Sequence, residues 1–270
     1  GPHRLAVLGS PISHSKSPAI HRAAYRVLGL DWDYDAIDVG AGDLAAFLAG
    51  CGTQWRGLSL TMPLKREVLP LLVEQDDVAR LVGAANTVLF SDRGPLGFNT
   101  DVFGAERMLR ESVSGTLDRA LILGGGATAG SMVVALSNLG TREIMVSTRS
   151  PAKATGLAAL ADRLAVRVLI GDLGVDFGMP DVVVSTLPGT ARLAREFTTE
   201  LRNAASLIDV AYDPWPTPLA QHWVDGGGSV ANSGLGMLVY QALAQVRIFV
   251  SGDPEQELPG EAGVLGAMRT

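Results

Sequence analysis

The sequence has a single cysteine, few basic residues and no long apolar run. Cys51 cannot form an intramolecular disulfide, and a metal site built from several cysteines is excluded. We interpret Cys51 as a small packed residue and predict no metal site. The net charge of -6 and the pI of about 5.2 argue against a nucleic-acid partner, which requires a basic surface. No stretch approaches the roughly 18 apolar residues of a transmembrane helix, so we expect no membrane partner.

Hydrophobic residues make up 47% of the 270-residue chain and charged residues 19%. This composition is typical of a globular protein with one large or two medium domains. The opening Gly1-Pro2-His3 runs directly into an apolar segment, so we expect no signal peptide and a cytoplasmic location. The sequence leaves open whether the protein is a monomer or a homodimer.

Short apolar runs alternate with segments of helical periodicity along most of the chain. Such alternation predicts an α/β fold with parallel strands covered by helices on both faces. The predicted strands are 4–9, 32–37, 57–60, 86–90, 95–98, 120–123, 143–147, 167–170, 182–185 and 206–209. The predicted helices are 18–28, 41–49, one opening at Pro63, 76–82, 101–112, 129–139, 151–161, 235–250 and 263–268. We expect Ser17 to cap the first helix and Gly29 to end it.

A strand, a glycine turn and a helix start follow one another at residues 120–130. Gly124, Gly126 and Ala129 match the G-x-G-x-x-A fingerprint of dinucleotide binding. Gly124 permits a tight turn, Gly126 lets the backbone approach a pyrophosphate, and Ala129 keeps helix and strand close. The free N–H groups of the helix start favour an anion. We therefore predict a doubly wound, dinucleotide-binding Rossmann domain.

The residues after the next strand indicate which dinucleotide is bound. An acidic residue there would select the ribose hydroxyls of NAD, whereas this chain has Thr148-Arg149-Ser150, followed by Lys153. Two cations and two hydroxyls suit a 2′-phosphate through charge-assisted hydrogen bonds. We predict NADP as the cofactor, and a solvated basic helix start is the alternative.

Hydride transfer to a ketone requires a group that exchanges the hydroxyl proton. Lys65 is one candidate, with Asp101 as its anchor, and His14 is the best rival among the histidines. We expect His21 and His222 to be surface or packing residues. If a helix begins at Pro63, its dipole disfavours the charged form of Lys65. A proton-transfer group must be able to lose its charge, and this effect would favour that. These residues alone do not single out Lys65.

Several motifs, taken in order along nearly the whole chain, resemble those of the shikimate dehydrogenase family. They are Gly9-Ser10-Pro11-Ile12-Ser13-His14-Ser15-Lys16-Ser17-Pro18, Thr61-Met62-Pro63-Leu64-Lys65, Gly83-Ala84-Ala85-Asn86-Thr87, Asn99-Thr100-Asp101, Asp209-Val210-Ala211-Tyr212-Asp213-Pro214, Thr217-Pro218-Leu219 and Gly234-Leu235-Gly236-Met237-Leu238-Val239-Tyr240-Gln241. The resemblance implies a substrate domain at 1–103 with 236–270 and an NADP-binding Rossmann domain at 104–235. It also implies that the last long helix returns to the first domain, with a cleft between the domains.

The resemblance further implies a role for each matching residue. Lys65 would be the general acid/base, paired with Asp101. Substrate would contact Ser15, Ser17, Ser59, Thr61, Asn86, Asp101, Tyr212 and Gln241. The cofactor would contact Gly124, Gly125, Gly126, Ala127, Thr128, Thr148, Arg149, Ser150, Lys153, Thr186, Val210, Gly234 and Met237.

The implied reaction is the reversible, NADP-dependent reduction of 3-dehydroshikimate to shikimate, an aromatic amino acid precursor. Alternatives are a quinate/shikimate dehydrogenase, a relative acting on an amino analogue of shikimate, and a catalytically idle NADP-binding sensor. The chain departs from the family at Ser59, where asparagine is usual, and at residues 124–128, where the family usually has G-A-G-G-A. Lys153 replaces a second arginine of the family.

Overall fold

The computed structural model describes residues 1–176, 178–228 and 231–270, which form two compact units. Unit 1 is Gly1–Gly104 with Leu238–Thr270, and unit 2 is Ala105–Met237. Each unit is built on one six-stranded sheet flanked by helices, and the predicted α/β class is confirmed. Among the described residues, no helix is both long enough and apolar enough to span a bilayer.

The N-terminal part of unit 1 consists of β1 (Arg4–Gly9), α1 (Ser17–Leu28), β2 (Asp33–Asp38), α2 (Leu44–Ala49), β3 (Trp55–Leu60), β4 (Glu74–Gln75), α3 (Asp77–Val82), β5 (Thr87–Ser91), β6 (Gly94–Phe98) and the start of α4 (Asp101–Ser112). Its strands form a mixed sheet with the order β2-β1-β3-β5-β6-β4. Strand β1 pairs in parallel with β2 and β3, whereas β5 is antiparallel to β3 and β6.

Apolar side chains cover both faces of the unit 1 sheet. Leu5 and Val7 of β1 belong to a buried cluster that includes residues of the last long helix. The alternate residues Ala6 and Leu8 belong to a second cluster with Leu58 of β3. Because successive side chains of a strand point to opposite faces, the continuous apolar run of β1 is buried on both sides.

The elements that follow in unit 2 are β7 (Arg119–Leu123), α5 (Ala127–Asn138), β8 (Glu143–Ser147), α6 (Thr155–Leu164), β9 (Arg167–Gly171), β10 (Val182–Ser185), α7 (Thr199–Ala204), β11 (Ser206–Asp209), α8 (Pro218–Asp225), β12 (Ala231–Ser233) and the start of α9 (Leu235–Ser251). The rest of α9 and all of α10 (Glu261–Met268) belong to unit 1. The unit 2 sheet is all-parallel with the order β12-β11-β10-β7-β8-β9, the arrangement of a doubly wound dinucleotide-binding fold. Its direction of winding reverses between β7 and β10, which are neighbours.

The structure corrects two local predictions in unit 1. No α-helix begins at Pro63: turns follow it, and then a short 3₁₀ helix at Leu69–Leu71. The Lys65 carbonyl accepts from the backbone N–H of Ala85, 2.8 Å away, and is therefore engaged outside any helix. Ser17 is the first residue of α1 and not its cap, which is Lys16. The predicted helix end at Gly29 is confirmed by its left-handed φ of 68°.

Candidate functional site

An ion pair between Lys65 and Asp101 lies at the centre of the polar residues in unit 1. Lys65 Nζ is 2.8 Å from Asp101 Oδ2, and the two side chains are 15% and 8% exposed. Ion pairs on a protein surface are normally well solvated, whereas this lysine and carboxylate are mostly buried. The pair therefore places a proton-bearing group at a defined, partly sheltered point of unit 1.

Asn86 joins this pair to Gln241 of α9. Its amide nitrogen lies 3.1 Å from Asp101 Oδ1 and 3.3 Å from Gln241 Oε1. The amide oxygen accepts from the backbone N–H of Thr100 at 2.8 Å. Gln241 is held in turn by a bond from its Nε2 to the carbonyl of Leu238. Four residues predicted for catalysis or substrate contact are thus joined by hydrogen bonds.

Asp101 occupies the first position of α4, where the partial positive charge of a helix start stabilises a carboxylate. Asn99 holds this helix start: its Oδ1 accepts from the N–H groups of Asp101 and Val102, at 3.0 and 3.3 Å. Its Nδ2 donates to the carbonyl of Ala84, two residues before Asn86. Sequence reasoning gave Asn99 no role, although an asparagine just before a helix is a capping signal.

Thr61 follows β3 and lies against the end of β1. Its backbone N–H donates to the carbonyl of Leu8 at 2.9 Å. A Cβ on Gly9 would lie 2.3 Å from Thr61 Cγ2 and 2.8 Å from the carbonyl oxygen of Met62. Gly9 is therefore required by this close approach.

Two of the residues predicted to contact the substrate, Ser15 and Ser17, lie at the start of α1. Ser15 is partly exposed, and its hydroxyl accepts from the backbone N–H of Ser17 at 3.3 Å. Ser17 is itself buried. Within the described ranges of the chain, neither serine is hydrogen-bonded to Lys65 or Asp101.

Ser59 belongs to a buried network behind Asn86. Its hydroxyl donates to Gln245 Oε1 at 2.9 Å and accepts from Tyr34 at 2.6 Å. Burial raises the pKa of Tyr34, and hydrogen bonds with Ser59 and Ser17 lower it in part. Gln245 was not predicted as a functional residue, and only its tertiary contacts distinguish it from other glutamines.

His21 and His222 are a packing residue and a surface residue. His14, the rival candidate for proton exchange, is exposed. His21 is fully buried, bonded to Tyr25 and Gln245, and burial lowers its pKa from 6.5 to about 3. The His222 side chain is 48% exposed. No group of three or more metal-ligating side chains is present in the part of the chain that the structure describes.

In unit 2, the predicted cofactor residues follow the carboxyl ends of five neighbouring strands. The register aligns Leu123, Ser147, Ser185, Asp209 and Ser233, the last residues of β7, β8, β10, β11 and β12. The residues directly after them are Gly124, Thr148, Thr186, Val210 and Gly234. This edge, where the winding reverses, is where ligands bind in doubly wound folds.

The glycine turn after β7 has the geometry that its fingerprint requires. Gly124 has a φ of 103°, and a Cβ there would lie 2.3 Å from Thr186 Oγ1. A Cβ on Gly126 would meet no atom within 4 Å, so the backbone is open on that side. Gly126 precedes α5, whose start has no capping side chain. The N–H groups of the first turn, at Ala127, Thr128 and Ala129, are therefore available to an anion.

The end of β8 presents two cations. Arg149 and Lys153 are exposed. Neither belongs to an ion pair among the described residues. Thr148 is buried, with its N–H donated to the Gly171 carbonyl at 3.0 Å. Ser150 is exposed beside Arg149. These four residues together provide the cations and hydroxyls that suit a phosphate monoester.

The segment after β11 is held by a buried carboxylate. Asp209 accepts from the Thr217 hydroxyl at 2.6 Å and from the Ala211 N–H at 3.1 Å. Burial raises the pKa of Asp209, and these bonds lower it in part. A Cβ on Gly234 would lie 2.0 Å from the Val210 carbonyl oxygen, so glycine is needed there.

Two further predicted residues lie in unit 2. Met237 is buried, and Tyr212 is partly exposed within the segment that Asp209 holds.

Comparison with known proteins gives matches over nearly the whole chain. Residues 7–88 match the family described as the shikimate dehydrogenase substrate binding domain. A shikimate dehydrogenase (NADP(+)) of Methanothermobacter thermautotrophicus is 31% identical over 270 residues, covering 96% of this chain and 95% of that protein. A pentafunctional AROM polypeptide of Yarrowia lipolytica is 33% identical over 276 residues. This chain covers 17% of that longer relative.

Solved structures with the same fold extend these matches. The crystal structure of shikimate dehydrogenase from Mycobacterium tuberculosis has a TM-score of 0.84, 39% identity and coverage of 99% of both chains. The shikimate 5-dehydrogenase of Thermus thermophilus, in complex with NADP(H) and shikimate, has a TM-score of 0.80 and 30% identity. That match covers 99% of this chain and 98% of the Thermus chain.

Proposed function

The chain belongs to the shikimate dehydrogenase family, and we propose from this that it catalyses the NADP-dependent, reversible reduction of 3-dehydroshikimate to shikimate. The observation that carries the proposal is the Lys65–Asp101 pair, with Nζ 2.8 Å from Oδ2 and both side chains mostly buried. A protein that only sensed the dinucleotide would not require a sheltered proton-transfer group.

Lys65 acts as the general acid/base. In the direction of reduction, its ammonium gives a proton to the substrate oxygen as the ketone becomes an alcohol. In the reverse direction, its amine takes the hydroxyl proton. Asp101 accepts a hydrogen bond from Nζ and so orients it. Placing the acid/base group in this way is typically worth on the order of 10²–10⁴ in rate.

Polar side chains of unit 1 bind the substrate. Asn86 and Gln241 offer amide groups next to Asp101, and Thr61 offers a hydroxyl at the end of β3. These amide and hydroxyl groups can form hydrogen bonds with the ring hydroxyls. A site that hydrogen-bonds a hydroxyl in this way discriminates against analogues that lack it. The hydroxyls of Ser15 and Ser17 donate hydrogen bonds to the substrate carboxylate, and the phenol of Tyr212 is a further donor.

NADP fits the groups at the carboxyl edge of the unit 2 sheet. When bound, NADPH supplies the hydride. Gly124, Gly125, Gly126, Ala127 and Thr128 would hold the pyrophosphate with backbone N–H groups. Thr148, Arg149, Ser150 and Lys153 would hold the 2′-phosphate. Thr186, Val210, Gly234 and Met237 would contact the nicotinamide part of the cofactor.

One assay tests the function against its alternatives. Nicotinamide absorbance is followed with shikimate or quinate, each in the presence of NADP or NAD. We expect efficient reduction of NADP by shikimate and much slower reaction in the other three combinations. Equal rates with quinate indicate a quinate/shikimate dehydrogenase. An absence of reaction in all four, with NADP still bound, indicates a sensor or an enzyme for an amino analogue.

The state of assembly and the location stay predictions. We expect a monomer or a homodimer in the cytoplasm, a compartment that suits a chain with one cysteine.

A further inference from the structure

Gln245 of α9 forms four hydrogen bonds in the interior of unit 1. Its Nε2 donates to the carbonyl of Asn86 at 2.9 Å and to the hydroxyl of Thr87 at 3.0 Å. Its Oε1 lies 2.9 Å from the Ser59 hydroxyl and 3.1 Å from His21 Nε2. An amide has two donor hydrogens and two acceptor sites on its oxygen, so the capacity of this side chain is fully used.

The pattern fixes the orientation of the amide. Because the Asn86 carbonyl can only accept, the nitrogen of Gln245 must face it, and the oxygen must face Ser59 and His21. His21 Nε2 then carries the hydrogen, and its Nδ1 accepts from the Tyr25 hydroxyl at 3.1 Å. This is a neutral imidazole, as its complete burial also favours.

Ser59 is committed to the same network. Its side chain has one hydrogen, which it donates to Gln245, and it accepts from Tyr34. The residue is only 3% exposed. It can therefore donate to a substrate hydroxyl only by giving up its bond to Gln245, whereas an asparagine at this position would have a second donor hydrogen.

Asn86 is where this network meets the candidate site. Its carbonyl is held by Gln245 and also by the Leu60 N–H at 2.7 Å, and its side chain reaches Asp101 and Gln241. We propose that Gln245 is a positioning residue that acts through Asn86, and that Ser59 supports Gln245 and does not contact the substrate. The proposal rests on the reaction proposed above.

The first test replaces Gln245 by methionine, which has a similar volume and no amide. We expect kcat/KM for shikimate to fall about 10-fold or more, mainly through a higher KM, while the KM for NADP stays unchanged. The matched control is Gln221→Met, which makes the same change at an exposed glutamine of α8. Thermal melts of both variants establish that they are folded.

A double-mutant cycle with Asn86→Ala separates positioning from general stability. If Gln245 acts through the Asn86 side chain, Gln245→Met costs little in the Asn86→Ala background. An equal fold-loss in both backgrounds, or an unchanged shikimate KM in the single variant, overturns the proposal.

Ser59→Ala provides the second variant, and it carries the test if Gln245→Met does not fold. We expect its effect on the shikimate KM to disappear in the Asn86→Ala background and also in the Gln245→Met background. A direct substrate contact of Ser59 would give the same loss in every background, and this result overturns its assignment to the network.

The activity of the wild-type protein shows whether the proposed function or only this inference has failed. A wild-type protein that does not oxidise shikimate overturns the proposed function and this inference with it. An active wild type with additive losses overturns the inference alone.

Discussion

The role proposed for Lys65 in proton transfer rests on its neighbours. A lysine near a proline is common on protein surfaces, and its position in the sequence alone carries little information. In the structure, its nitrogen meets Asp101, and Asp101 meets Asn86. An amine held by a carboxylate in this way has a fixed direction, which proton transfer to one substrate atom requires.

Replacing Lys65 by alanine tests this role. We expect kcat for shikimate oxidation to fall by on the order of 10²–10⁴, because the proton acceptor is lost, with a roughly unchanged shikimate KM. Steady-state kinetics give both values. Arg66→Ala, at the exposed neighbouring cation, is the control and should keep full turnover. Unchanged turnover in Lys65→Ala would remove Lys65 from the mechanism.

Arg149 is the residue that we expect to distinguish NADP from NAD. Arg149→Ala removes a fork of donors that suits the 2′-phosphate, so the KM for NADP should rise about 10-fold to 100-fold. The KM for NAD, which lacks that phosphate, should change little. Kinetics with both cofactors measure this difference, and Arg163→Ala on the exposed side of α6 is the control. Equal effects on the two cofactors would contradict the assignment.

At the scale of elements, the connection of β7 to α5 depends on Gly124. Its φ of 103° is accessible mainly to glycine, and a Cβ would also collide with Thr186. Thr186 cannot easily yield, because its hydroxyl donates to the Leu123 carbonyl and its N–H is bound there too. Strand end, turn and helix start are therefore one rigid structure.

Gly124→Ala should lower the free energy of unfolding by about 1–3 kcal/mol, through backbone strain and the displaced Thr186. It should also weaken NADP binding, since the turn carries the N–H groups. Urea unfolding and calorimetric titration measure the two effects. Gly156→Ala is the matched control, because that glycine lies in α6 with open space around a Cβ and should leave both quantities unchanged or improved. A Gly124→Ala protein as stable as wild type would contradict the strain argument.

At the scale of the molecule, the buried polar network of unit 1 makes its stability depend on pH. Folded His21 has a pKa of about 3, against 6.5 for an unburied histidine. Between these values the unfolded chain binds a proton that the folded chain does not. The contribution of His21 to stability is therefore complete above about pH 6.5 and is lost as the pH falls toward 3.

Lowering the pH from 7 to 5 should cost roughly 2 kcal/mol of unfolding free energy through His21. The measurement is urea unfolding of wild type and His21→Gln at both pH values. We expect His21→Gln to have a lower free energy of unfolding than wild type at pH 7. Its free energy of unfolding should fall less than that of wild type when the pH is lowered to 5. His14→Gln, at the exposed histidine, should keep the wild-type difference. The same acid sensitivity in His21→Gln would show that another group causes it.

Local pattern determined much of this protein. Apolar runs and turn residues predicted β1, β8, β10 and α4, because the periodicity of a strand or a helix depends on residues that are close in sequence. The glycine fingerprint predicted the turn between β7 and α5 for the same reason, since its geometry depends on a few consecutive residues. The motifs also indicated the family.

Tertiary structure decided what neighbouring residues could not. Lys65 reaches a partner 36 positions away, and Gln245 reaches Asn86 across 159 positions, because the sheet order of unit 1 and the return of α9 bring them together. The Lys65 carbonyl pairs with Ala85, and the helix expected at Pro63 does not form. Hydrogen bonds between distant segments leave no periodic trace in a sequence, so only the folded chain distinguishes a positioned amide or amine from an ordinary one.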